Sequence, residues 1–134
     1  MNKESALKHI EANLEADDSL IGFFYATEAM KLGIFVLIGP LAALGMKFYF
    51  VAVTKKGMTF HRLNMMGKFA NSDAFSYDEI EMVKIGQGWV QRPMKFKFKN
   101  GRVLNLKAQL KGVDKVAKIT PDVQQYIENN IVTE

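Results

Sequence analysis

The sequence predicts an α+β fold, with an antiparallel sheet of about seven strands flanked by a short helix at each end. Three observations carry this prediction. Residues Met94 to Lys107 alternate apolar and polar, mostly basic, side chains around Lys99-Asn100-Gly101, the pattern of a β-hairpin. Phe48 to Leu63 gives a second hairpin, aromatic and β-branched, around Lys55-Lys56-Gly57. Segments with helical spacing lie outside the strand region, at residues 3–16 and about 112–131.

The 94–107 hairpin sets its own register. A two-residue turn at Asn100-Gly101 would place Leu104 and Leu106 among the lysines, because directly opposed residues share a face. A three-residue loop ending in Gly101 places Phe96 opposite Leu104 and Met94 opposite Leu106 on the buried side. Lys95, Lys97, Asn105 and Lys107 then share the outer side. A slip of one residue would invert every side chain, so the apolar pattern selects this register.

The other elements follow in order. Leu7, Ile10 and Leu14 line one face of the first helix, and Leu20 to Ala29, with Phe23, Phe24 and Tyr25, forms the first strand. In the 47–63 hairpin Gly57 is expected third in the loop, the device used at Gly101. A short strand is expected near 67–70, and Ile80 to Ile85 is another, bent by Gly86-Gln87-Gly88 before Trp89. Val113, Val116 and Ala117 show helical spacing. Thr120-Pro121-Asp122 then offers a cap, a first-turn proline and an acid to a last helix with Val123, Tyr126, Ile127 and Ile131 on one stripe.

At 134 residues a single domain spanning 1–134 is expected, with the sheet over about 20–110. The absence of cysteine excludes a disulfide framework and a thiol nucleophile, and fits a cytoplasmic protein. Met1 to Ser5 lacks the basic-then-apolar order of a signal peptide. Charge is uneven. Residues 41–118 hold fifteen basic and five acidic side chains, while both flanking regions are net acidic. The candidate basic face is Lys95, Lys97, Lys99, Lys107 and Arg92, suited to phosphate, an anionic membrane or an acidic partner, or simply to solvation.

Leu32 to Met46 carries no charge at all. It falls short of the roughly 20 residues of a membrane-spanning helix, and Gly39-Pro40 breaks its middle. Burial of Ile34, Phe35, Val36, Leu37, Ile38, Leu41 and Leu44 is worth on the order of 10–20 kcal/mol, so this candidate interface must be covered by the sheet, by another subunit or by a bilayer.

Covalent chemistry has little to work with. His9 and His61 are the only histidines and read as surface or packing residues; Asp78, Glu79 and Glu81 read as a solvated turn. Gly86-Gln87-Gly88 precedes no helix and is not a phosphate loop. The reading is no enzyme, no cofactor and no metal. Trp89, the single tryptophan, is either a core residue or an exposed anchor.

Phe50-Val51-Ala52-Val53-Thr54-Lys55-Lys56-Gly57-Met58-Thr59-Phe60-His61 resembles the "V-T-basic-basic/Gly" hairpin of bacterial pleckstrin-homology-like (PH-like) domains. Phe75-Ser76-Tyr77-Asp78-Glu79-Ile80-Glu81-Met82-Val83 is similar to the same family's "Y-x-x-I-x-x-V" strand. With the second hairpin and the last helix in the family's order, the resemblance covers roughly residues 18–131. It implies a strongly bent seven-stranded sheet, a split barrel, capped by the C-terminal helix. It also implies a binding module for lipid headgroups, peptides or proteins, often oligomeric. Lipid-binding members use basic residues around the loop between the first two strands. Here that loop is the apolar 32–46 run, with only Lys31 and Lys47 at its ends, which favours apolar burial over headgroup recognition of that kind. The expected function is therefore a self-associating, non-catalytic binding module. The alternatives are a peripheral module at the inner face of the membrane, using the basic strand face with the 32–46 segment, or weak nucleic-acid binding. A homo-oligomer is the expected partner, and a protein or peptide the next. Nucleic acid is least supported, because Phe96 and Phe98 point away from the lysines.

Overall fold

The structure is a computed structural model that describes residues 2–28, 47–112 and 116–134. It contains α1 (Lys3–Ala12), β1 (Leu20–Glu28), β2 (Lys47–Thr54), β3 (Gly57–Leu63), β4 (Phe69–Ser76), a 3-10 turn (Tyr77–Glu79), β5 (Ile80–Ile85), β6 (Gln91–Phe98), β7 (Val103–Gln109) and α2 (Pro121–Asn130). The strands form one antiparallel sheet in the order β4-β3-β2-β1-β7-β6-β5.

Strong bending of this sheet follows from a few ring contacts. In a flat sheet β3 and β6 would lie four strand spacings apart, about 19 Å. Instead the Phe60 ring of β3 is 5.5 Å from Phe96 and 5.9 Å from Phe98, both of β6, and Phe75 of β4 is 4.2 Å from Phe98. Arg102 Nη1 lies 3.6 Å from Asp73 Oδ2 and ties the β6–β7 turn to β4. The sheet thus curls into a split barrel around one core, which α2 closes with Val123 and Ile127, together with Ile131, the residue after it. Thr120 Oγ1 accepts a hydrogen bond from the Val123 amide, and Pro121 begins the helix, as its sequence predicts.

The β6–β7 register is the expected one: Phe96 pairs with Leu104, Met94 with Leu106 and Lys95 with Asn105. Gly101 has φ 92°, the conformation that the three-residue loop requires. Gly57 differs from its expected role. It is the first residue of β3 and has no positive φ. Its loop is only Lys55-Lys56, and Thr54 Oγ1 accepts from the Gly57 amide at 3.2 Å. A side chain at Gly57 would collide with the Phe75 carbonyl of β4, so close strand approach demands glycine here.

Other boundaries also shift. The first helix stops at Ala12 rather than 16, where Asn13 leaves helical geometry and its side-chain amide donates to the His9 carbonyl. Glu15 and Asp17 then turn to meet Lys56. The short strand expected near 67–70 is a full edge strand, β4, whose middle residues are solvated and carry no apolar alternation. Val116 and Ala117 are not helical. Residues 113–115 lie outside the described residues.

The outer face of β1–β4 is apolar as well. Phe50, Ala52 and Leu63 are buried there, with Phe23, Tyr25, Phe48 and Phe69 beside them, and α1 covers part of this face through Ala6 and Ile10. Replacing Phe60 by alanine should lower stability by about 3–5 kcal/mol, since it leaves a cavity where the two halves meet. Val103→Ala, on the exposed face, should stay within about 0.5 kcal/mol, both variants being compared with the unaltered chain by urea titration.

Candidate functional site

The outer face of β5–β7 presents the basic surface. Lys84 of β5 stands directly opposite Lys95 of β6, Lys95 opposite Asn105 of β7, and Pro93 opposite Lys107. Lys97 follows Lys95 by two residues and therefore shares the face. The four lysines take part in none of the ion pairs among the described residues. Lys95 and Lys97 are half-buried along their stems, while Lys84 and Lys107 are exposed. Lys84, Lys95, Lys107, Asn105, Pro93 and Leu106 surround a shallow hollow of ≈ 230 Å³.

Like charges directly opposed across two strands repel. Lys84 and Lys95 occupy such positions, and an anion between them would relieve the repulsion. Lys84 was not evident from sequence, because the connection between β5 and β6 is not a tight turn and does not dictate their register.

One expected member of the basic face, Arg92, lies elsewhere, and another, Lys99, stands just beyond the end of β6. Arg92 pairs with Ala108 on the core side, and its Nη1 donates to Gln124 of α2 at 2.9 Å. Lys99 sits in the β6–β7 turn beside the acids of the 3-10 turn, its amide donating to the Glu79 carbonyl. Asp78 is held below the usual carboxylate range, chiefly by the Ser76 hydroxyl and in smaller part by the Lys99 charge. The candidate apolar interface, Ile34, Phe35, Val36, Leu37, Ile38, Leu41 and Leu44, lies outside the described residues.

Trp89 is 83% exposed, and the Lys111 ammonium lies 5.3 Å from its ring centroid. The backbone beneath it is held: the Val90 carbonyl accepts from the Leu110 amide, and the Gly86 amide donates to the Pro93 carbonyl. Trp89 and Lys111 therefore stand at one end of the β6–β7 pair that carries the lysines. The opposite margin of the lysine face is also defined by pairing. Lys107 stands opposite Thr27, Thr27 opposite Phe48, and Phe48 opposite Leu63. This row leads into a ≈ 300 Å³ apolar hollow lined by Tyr25, Phe48, Phe50, Leu63, Met65 and Ala117. Met65 and Met66, in the turn after β3, are 71% and 81% exposed.

His61 was expected at the surface or in packing, and it is buried under α1 on the outer face. His9 of α1 stacks on Phe69 at 3.7 Å and meets the His61 ring edge-on at 5.3 Å. Burial, and then the His9 charge, push the His61 pKa down to about 4. Among the described residues no group of three or more His, Asp or Glu is placed to hold a metal. No helix among them is long and apolar enough to cross a membrane.

The fold is that of PH-like split-barrel domains, a curled seven-stranded antiparallel sheet closed by a C-terminal helix. No family model matches the chain, and no curated protein sequence does. Among solved structures the chain is similar to the hSac2 domain from human phosphoinositide phosphatase Sac2, with a TM-score of 0.57 and 12% identity. The likeness covers 94% of this chain and 75% of that one.

Because Trp89 is the only tryptophan, its fluorescence reports this surface alone. Its emission should be that of a water-exposed indole, fully open to acrylamide quenching.

Proposed function

We propose that this chain is a non-catalytic PH-like module that docks on an anionic membrane surface. Its outer β5–β7 lysine face makes the electrostatic contact and Trp89 is its apolar anchor. The observation that carries this reading is the unrelieved Lys84–Lys95 pair within a four-lysine face bordered by an exposed tryptophan. The magnitudes require both parts. A lysine near an anionic surface contributes about 1 kcal/mol, so four supply about 4 kcal/mol, roughly millimolar affinity. A second, apolar signal is needed for stable attachment, and an interfacial tryptophan is suited to it. The Sac2 likeness supports the fold on which this reading rests.

A second reading is self-association through the apolar 32–46 run, favoured by seven large side chains that need cover. Vesicle co-sedimentation and analytical ultracentrifugation separate the two. With Lys84→Gln and Lys95→Gln together, binding to vesicles containing phosphatidylserine should weaken about thirtyfold, at about 1 kcal/mol per charge. Binding of the unaltered chain should fall steeply between 0.1 M and 0.5 M salt, within a shrinking Debye length. Binding indifferent to anionic lipid and to salt, with a stable oligomer in the centrifuge, would favour self-association instead.

A further inference from the structure

We infer that α1 is an acid-released cover over the outer aromatic face of β2–β4, with the His9–His61 contact as its trigger. Its attachment is slight: Ala6 and Ile10 are its only buried side chains, and beyond Ala12 the chain is tied to the β2–β3 loop by exposed ion pairs to Lys56. What it covers is the apolar surface of Phe50, Leu63 and Phe69. Within that surface one histidine is buried among the described residues, His61, 3% exposed, with Nδ1 in no hydrogen bond.

The surroundings of His61 offer a proton little compensation. From α1 it faces His9, a second group that can only be neutral or positive. Its partners across the strands are Phe50 of β2 and Ser72 of β4, both uncharged. A cavity of ≈ 420 Å³ beside it is also lined by Glu15, Asp18, Lys56 and Glu79. There Glu15 is engaged by Lys56, and Asp18 accepts from the Ser19 and Lys56 amides. Phe69, stacked on His9, lies on the remaining side.

The linkage has a definite sign. The covered form holds His61 with a pKa of about 4, against an ordinary value of 6.5 once the helix has left. The histidine therefore opposes release fully above pH 6.5, and this stabilisation is lost as pH falls from 6.5 towards 4. At pH 5 the cover equilibrium shifts about thirtyfold towards release. The inference stands apart from the lysine-face reading, because it is measured on the protein alone.

Amide hydrogen exchange at pH 7.5 and pH 5, corrected for intrinsic rates, tests it. Protection of the α1 amides should drop about thirtyfold while that of β2 and β6 persists, and an apolar dye should bind at the lower pH. His61→Leu and His61→Gln cannot ionise, and whichever of them folds should show α1 protection independent of pH. Two results would overturn the inference. One is an unchanged acid response in either variant. The other is loss of protection in α1, β2 and β6 together, which would make the transition global unfolding.

Discussion

The contact of Phe60 with Phe96 and Phe98 is the constraint on which the rest depends. It joins strands that a flat sheet would hold far apart, and so gives seven strands an inside and an outside. The buried inward positions near this joint are aromatic or aliphatic, Asp73 opposite Phe60 being a charged exception at the exposed edge strand, and α2 fills the remaining opening. Aromatic pairs in tilted and edge-on geometry add favourable quadrupole contacts to the area they bury. With the inside committed to packing, any interaction with a partner must come from the outer face, from the loops or from the 32–46 run.

The outer face is divided by chemistry. Over β1–β4 it is aromatic and needs a covering element; over β5–β7 it is lysine-rich and needs water or an anion. The two regions meet along the row Leu63, Phe48, Thr27 and Lys107. Where one face of a sheet is solvated, each strand alternates apolar and polar residues along its length. Here β2 itself is apolar on both faces, with Phe50 and Ala52 buried on the outside and Val51 and Val53 on the inside. This double burial explains the unbroken apolar reading of Phe48 to Val53, which alternation alone would not predict.

Much of the architecture was legible because local rules and tertiary packing agree. The three-residue loop at Gly101 follows from the pairing of Phe96 and Leu104, and the start of α2 from Thr120-Pro121. The failures occur where long-range contacts decide. Gly57 looks like a turn residue locally, yet it is required by the carbonyl of a strand eighteen residues away. β4 is stabilised by pairing at an edge, which leaves its solvated middle with no hydrophobic period to read. Arg92 looks like one more base in a basic strand, but its place in the register turns it to the core side and to Gln124. Lys84 and the burial of His61 likewise become visible only once strand pairing and the position of α1 are known.

Strand geometry also separates surfaces that composition treats as one. The excess of basic residues over 41–118 resolves into several groups. Lys56 is engaged by Glu15 and Asp17, Lys47 by Glu28 and Arg102 by Asp73, so these charges are partly neutralised within the fold. Arg92 faces the core side. What remains on β5–β7 is a small set held at fixed cross-strand spacing. A lysine pair confined by register to one face cannot separate by moving its backbone. Its side chains can only splay into solvent or share a counterion. On the proposed reading, that restriction makes the face selective for a dense array of negative charge over isolated anions. A surface of many headgroups can meet Lys84, Lys95, Lys97 and Lys107 at once, whereas a single small anion in the hollow reaches only those around it.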